Sequence, residues 1–179
     1  MSTSADEPLA GYIRSIPDFP KPGIMFRDIT PLLGSADGLA ATVHALVEMT
    51  RALEPTVIIG PEARGFLFGP ALARDLGAGF VLARKPGMLP HETVSTEYEL
   101  EYGTDSLELH ADAISPGDRV LIHDDLLATG GTASALCRLV DQLGGEVVGC
   151  AFVIELAFLG GRERLAPHDV NALIRYEEE

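Results

Sequence analysis

The sequence predicts an α/β protein, a doubly wound, mostly parallel sheet with helices on both faces. Two observations carry that prediction. Continuous apolar runs rich in β-branched residues alternate along the chain with segments of helical spacing, the order expected of strand-helix-strand units. The chain of 179 residues is 46% hydrophobic and 22% charged, as in an ordinary globular domain, and it is long enough to bury one core.

Taken in order, Leu9, Tyr12, Ile13 and Ile16 fit one face of a short N-terminal helix. Pro17, Pro20 and Pro22 then impose an extended loop closed by Gly23. Residues 24–29 read either as a short strand or as an ordered loop. Ser35 is placed to cap a helix that aligns Leu39, Val43, Leu46 and Val47 and stops at Pro55. A buried strand is expected over 56–60, a helix over 64–76 ended by Gly77, and a second strand over 79–84. The loop KPGMLPHE leads to 93–110, where alternating Leu107 and Leu109 predict a hairpin strand. After a turn at 116–118 come a strand over 119–123, a helix carrying Leu136, Leu139, Val140 and Leu143, and a strand over 146–155. The whole chain, 1–179, reads as a single domain.

Composition narrows the function. Thirteen Lys+Arg against twenty-seven Asp+Glu leave a net charge of −14, which excludes a broad basic face for nucleic acid or an anionic membrane. The N-terminal segment lacks the pattern of a signal peptide, and the longest apolar run is too short to span a bilayer. Cys137 and Cys150 show no metal or redox spacing and are expected as buried thiols. The expected location is the cytoplasm, without nucleic-acid or membrane partners.

The chemistry gathers after the strand at 119–123. His123-Asp124-Asp125 is followed by Ala128, Thr129, Gly130, Gly131 and Thr132, a small, hydroxyl-bearing loop that opens a helix. Free amides at a helix start, with two threonine hydroxyls, form a phosphate cradle. It is neither a Walker loop nor GxGxxG. Asp124 and Asp125 have the wrong sign for phosphate, but suit the vicinal hydroxyls of a ribose or a cation held at one remove. Sugar hydroxyls beside a phosphate describe a ribose phosphate.

The segment DDLLATGGT resembles the phosphoribosyl pyrophosphate motif of type I phosphoribosyltransferases, and in its wording that of the members acting on adenine. FPKPGIMFRDITPLL, PEARGFLFGPAL, ARKPGMLPHET, YELEYGTDSLELH and GGRERL extend the resemblance over almost the whole chain. It implies transfer of phosphoribose from phosphoribosyl pyrophosphate to adenine, giving AMP and pyrophosphate in purine salvage, with Mg²⁺ as cofactor and a homodimer as the assembly. It implies a base-binding hood over 1–34, with Met25, Phe26 and Arg27 as the base site. It also implies a flexible lid hairpin over 93–110 that carries Glu101 as proton-transfer residue and Tyr102 near the reacting centre. Arg64, Arg84 and Lys85 become pyrophosphate contacts, with Arg84 reaching a neighbouring subunit's site. No residue is assigned as a direct metal ligand, since Mg²⁺ is carried mainly by substrate, with water-mediated help from Asp124 or Asp125. His123 and Met88 depart from the family pattern, and the five histidines are read as structural or solvated. Two rivals are a non-catalytic phosphoribosyl pyrophosphate sensor, for whose effector module no sequence is left, and a transferase for a 6-oxopurine or xanthine.

Overall fold

The structure, a computed structural model, describes residues 9–99 and 104–178. At the N-terminus, Leu9–Tyr12 forms one 3-10 turn rather than the expected helix. The chain then enters β1 (Arg14–Ile16), which pairs antiparallel with β2 (Phe26–Asp28). The apolar spacing there serves packing against the domain, and the prolines at 17–22 close the hairpin. The open reading of 24–29 resolves as strand over β2. A short helix, α1 (Thr30–Gly34), follows, and α2 (Ala36–Thr50) starts where Ser35 Oγ accepts the Gly38 N–H at 3.1 Å.

Next comes β3 (Val57–Pro61), then a 3-10 turn at Arg64–Phe66, and only then α3 (Gly69–Leu76). A helix running unbroken from 64 would need an N–H that Pro70 lacks, so the proline marks the first turn instead. Beyond β4 (Gly79–Ala83), the strands β5 (Thr93–Glu99) and β6 (Thr104–His110) form the expected antiparallel hairpin. β7 (Arg119–Leu127) leads into α4 (Gly131–Leu143) and β8 (Glu146–Leu156). A single helical turn, α5 (Gly161–Arg164), and β9 (Val170–Tyr176) complete the described chain.

Five strands make a parallel sheet in the order β4-β3-β7-β8-β9. The alternation of side chains splits the core in two. Ile59, Ile122 and Phe152 face α4 and the β5–β6 hairpin; Ile58, Leu121 and Val153 face α1, α2 and α3. Helices thus cover both faces, with the hairpin sharing one of them. The strand order reverses between β3 and β7, so the crevice for a ligand lies at their carboxyl ends. β7 runs four residues past the expected end, still paired with β8 at Leu127 and Glu155. The acidic pair therefore sits on a strand, not in a loop.

Candidate active site

Arg64 follows β3 and Asp125 lies near the end of the neighbouring β7, and the switch point brings them together. Arg64 Nε lies 2.8 Å from Asp125 Oδ2, with the carboxylate buried and the guanidinium half exposed. Three cavities open around this pair. The first, about 440 Å³, is lined by Phe19, Phe26, Arg27, Ile29 and Leu33 as well as the pair. A second, about 200 Å³, is walled by Asp124 and the whole 128–132 loop. The third, about 320 Å³, takes Glu62, Lys85, Tyr98, Asp124 and Thr132. Arg64 and Asp125 belong to all three.

In the first cavity Phe26 meets Phe19 edge to face at 5.1 Å between centroids. Met25, half-buried just ahead of β2, lies outside its wall. The Arg27 guanidinium stacks 3.9 Å from the Tyr176 ring, and its Nη1 donates to Ser15 Oγ at 2.5 Å. Asp28, which the sequence reading passed over, secures this corner. It accepts from Arg14 Nη2 at 2.6 Å, from the Thr30 N–H at 2.9 Å and from the Thr30 hydroxyl at 2.8 Å. The Thr30 amide above all, then Arg14, holds its carboxyl below the usual range.

The second cavity is walled by the loop that the sequence leads one to expect at a phosphate. Gly130, at φ +78°, is the cap from which α4 starts, leaving first-turn amides directed at the loop. No side-chain cap fills that end. A Cβ on Gly130 would come within 2.7 Å of the Gly161 carbonyl, and one on Gly161 within 2.2 Å of the Ala128 carbonyl. Asp124 accepts the Asp125 N–H at 2.8 Å. Burial, and then the neighbouring Asp125 charge, raise the Asp124 carboxyl well above its ordinary value.

Around the third cavity every cation has a carboxylate partner. Glu62 accepts from Arg84 Nη2 at 2.9 Å and from the Lys85 N–H at 2.5 Å, which lowers its carboxyl, the Lys85 amide contributing most. The Lys85 ammonium pairs with Asp105, which Tyr98 also contacts across the hairpin. Burial works against that charge, yet Asp105 and Tyr98 hold the amine above its ordinary value. Arg84 stands outside this cavity: its Nη1 donates to the Met88 carbonyl at 3.0 Å, and its backbone bridges to Glu108 of β6. Met88 thus contributes its backbone while its side chain is exposed.

Glu101 and Tyr102 lie outside the described residues. His123 is fully buried, donates Nδ1–H to the Ala151 carbonyl at 3.0 Å and meets Phe68 edge to face. Burial pushes its pKa down to about 4, so it is a neutral core residue. Cys137 and Cys150 are buried free thiols. Among the described residues no group of three or more His, Cys, Asp or Glu could by itself hold a metal, and no helix is long and apolar enough to cross a membrane.

A parallel α/β sheet with an acidic pair and a glycine-bearing loop opening a helix at its switch point is an architecture suited to phosphorylated ligands. The model of the phosphoribosyl transferase domain family matches residues 31–173. The chain is 62% identical to an adenine phosphoribosyltransferase of Rubrobacter xylanophilus, across 93% of this chain and 90% of that one. It superposes on the crystal structure of the adenine phosphoribosyltransferase of Thermoanaerobacter pseudethanolicus with a TM-score of 0.91, at 54% identity over 94% and 98% of the two chains. The yeast adenine phosphoribosyltransferase, crystallised with an imino-altritol bisphosphate and adenine, gives a TM-score of 0.88 at 41% identity, over 92% of this chain and 96% of that one. The chain belongs to the adenine phosphoribosyltransferase family.

Proposed function

We propose that this site joins adenine to the phosphoribosyl group of phosphoribosyl pyrophosphate, releasing AMP and pyrophosphate, as a purine-salvage step in the cytoplasm. The bond from C1′ of ribose to pyrophosphate breaks as the bond to adenine N9 forms. The observation that carries this reading is the meeting of three cavities on Arg64 and Asp125. One is apolar and aromatic, as a base requires. Another offers backbone amides and the hydroxyls of Thr129 and Thr132, as a 5′-phosphate requires. The last holds Lys85 and Arg64, as a pyrophosphate leaving group requires. Asp124 and Asp125, between them, suit the ribose hydroxyls. Glu101 is assigned the proton leaving N9, and Tyr102 a place beside the reacting carbon, within the lid expected over 93–110. In the hood assigned to 1–34, of which residues 1–8 lie outside the described residues, Phe26 is assigned to stack on the purine and the backbone of Met25 and Arg27 to meet its edge.

The donors present fit Mg²⁺ in the way that ion is usually held, by one or two carboxylates through water plus substrate phosphates. Asp124 is the better placed, since Arg64 already engages Asp125. When bound, the ion neutralises charge growing on the leaving pyrophosphate. Arg84, turned away from its own third cavity, is assigned to a neighbouring subunit of a homodimer.

Base preference follows from hydrogen-bond polarity. Backbone groups near Met25 and Arg27 can give a carbonyl to N6 and an N–H to N1 of adenine, but cannot invert for hypoxanthine or guanine. The mismatch is worth roughly 10⁴ in kcat/KM. Rates with each base, phosphoribosyl pyrophosphate and Mg²⁺ test this; hypoxanthine within about tenfold of adenine would refute it. For the assembly, mixing Arg84→Ala subunits with Asp125→Asn subunits should restore activity, and no recovery after demonstrated exchange would make each site self-contained.

A further inference from the structure

Glu155 sits near the end of β8, in register with Leu127, the last residue of β7 before the phosphate loop. Its side chain is almost wholly buried. Arg162 meets it with two bonds, Nε to Oε1 at 3.0 Å and Nη2 to Oε2 at 2.6 Å. The remaining arm of the guanidinium, Nη1, donates to the Val170 carbonyl of β9 at 2.5 Å. Arg175 stands 4.0 Å away on the same carboxylate. A planar, forked cation held at three points fixes the turn that carries it, because each bond constrains a different direction.

That turn is α5, and the residue before Arg162 is Gly161. Gly161 presses on the back of the phosphate loop so closely that a methyl group would overlap the Ala128 carbonyl and approach Leu127 Cδ1 to 3.0 Å. Gly130, the cap of α4, meets the Gly161 carbonyl from the other side. Neither Glu155 nor Arg162 lines the cradle. We infer that the Glu155–Arg162 pair is the positioning device of the phosphate loop: it holds Gly161 against Ala128 and Gly130, and so sets where the α4 amides point. The inference rests on the reading of 128–132 as the 5′-phosphate site.

The pair is tested with Glu155→Gln and Arg162→Lys, measuring binding of AMP and adenosine by calorimetry and steady-state kinetics in phosphoribosyl pyrophosphate. A loop displaced by a fraction of an ångström should lose phosphate affinity, so AMP binding weakens and the KM for phosphoribosyl pyrophosphate rises, each about tenfold. Adenosine affinity should stay unchanged, a selectivity that a merely destabilised fold would not give. Arg162→Lys keeps the charge but not the fork, and provides a folded variant should Glu155→Gln unfold. Equal losses for AMP and adenosine, or unchanged AMP affinity in either folded variant, overturn the inference. If the unsubstituted protein binds AMP no better than adenosine, the phosphate assignment itself has failed, and that is visible before any substitution is compared.

Discussion

Around residues 128–132 the polar groups are backbone amides and threonine hydroxyls, packed against glycines; around the third cavity they include charged side chains, each cation bound to a carboxylate. The first region has its donors fixed and unspent, because Gly130 starts a helix without a side-chain cap. The second has its cations engaged, Lys85 by Asp105 and Arg64 by Asp125, so on the proposed reading a pyrophosphate would exchange with a carboxylate to bind there. A group retained throughout the reaction suits the fixed site, and a group that leaves suits the exchangeable one. On the proposed reading, and in a chain of net charge −14, the difference would also limit how strongly a polyanionic product is held.

The largest test of this contrast is Asp125→Asn, since Asp125 touches all three cavities and anchors Arg64. We expect kcat/KM to fall on the order of a hundredfold, as for loss of the buried partner of a half-exposed charged pair, with the fold retained by circular dichroism. A drop under threefold would mean the cavities do not share this pair. Next is Glu62→Gln, which weakens the hold on Arg84 and on the Lys85 amide together. It should cost about tenfold in kcat/KM and change pyrophosphate inhibition while leaving AMP affinity alone. Equal effects on pyrophosphate and AMP would erase the distinction between the regions.

The smallest effect is on stability. The Asp124 carboxyl has a raised folded-state pKa, so its contribution is intact below the unfolded value and is lost as pH rises through the folded one. Asp124→Asn removes that loss. The variant should melt a few degrees higher than the parent at pH 8 and at the same temperature near pH 4, although its KM for phosphoribosyl pyrophosphate rises. A variant that melts lower at pH 8 would show that the carboxylate is stabilising after all.

How much of this was legible in the sequence depended on distance along the chain. β3, β7 and β8 announce themselves because strands buried on both faces are continuously apolar, whereas β9 is only partly covered and its VNALIRY carries no such run. The acidic pair and the 128–132 loop are contiguous and so legible; only the end of β7 is not, because two aspartates do not look like strand. The partners that complete the site were not. Glu62 with Arg84, Asp105 with Lys85, and Gly130 with Gly161 join residues about twenty or more apart, and nothing local in either member records the other. The difference at the N-terminus has the same root: Leu9, Tyr12 and Ile13 are spaced for a helix, but what they pack on is the far end of the chain and α2.

His123 gives the molecule an acid limit. Its ring is sealed beneath the central strand and neutral, with a folded pKa near 4 against about 6.5 in the open chain. As pH falls through that interval the unfolded chain gains a proton the folded one refuses, and stability drains away, by about 3 kcal/mol in full. Acid inactivation should therefore set in as the pH falls below about 6.5, and it would reach the reaction through the strand that carries Asp124 and Asp125.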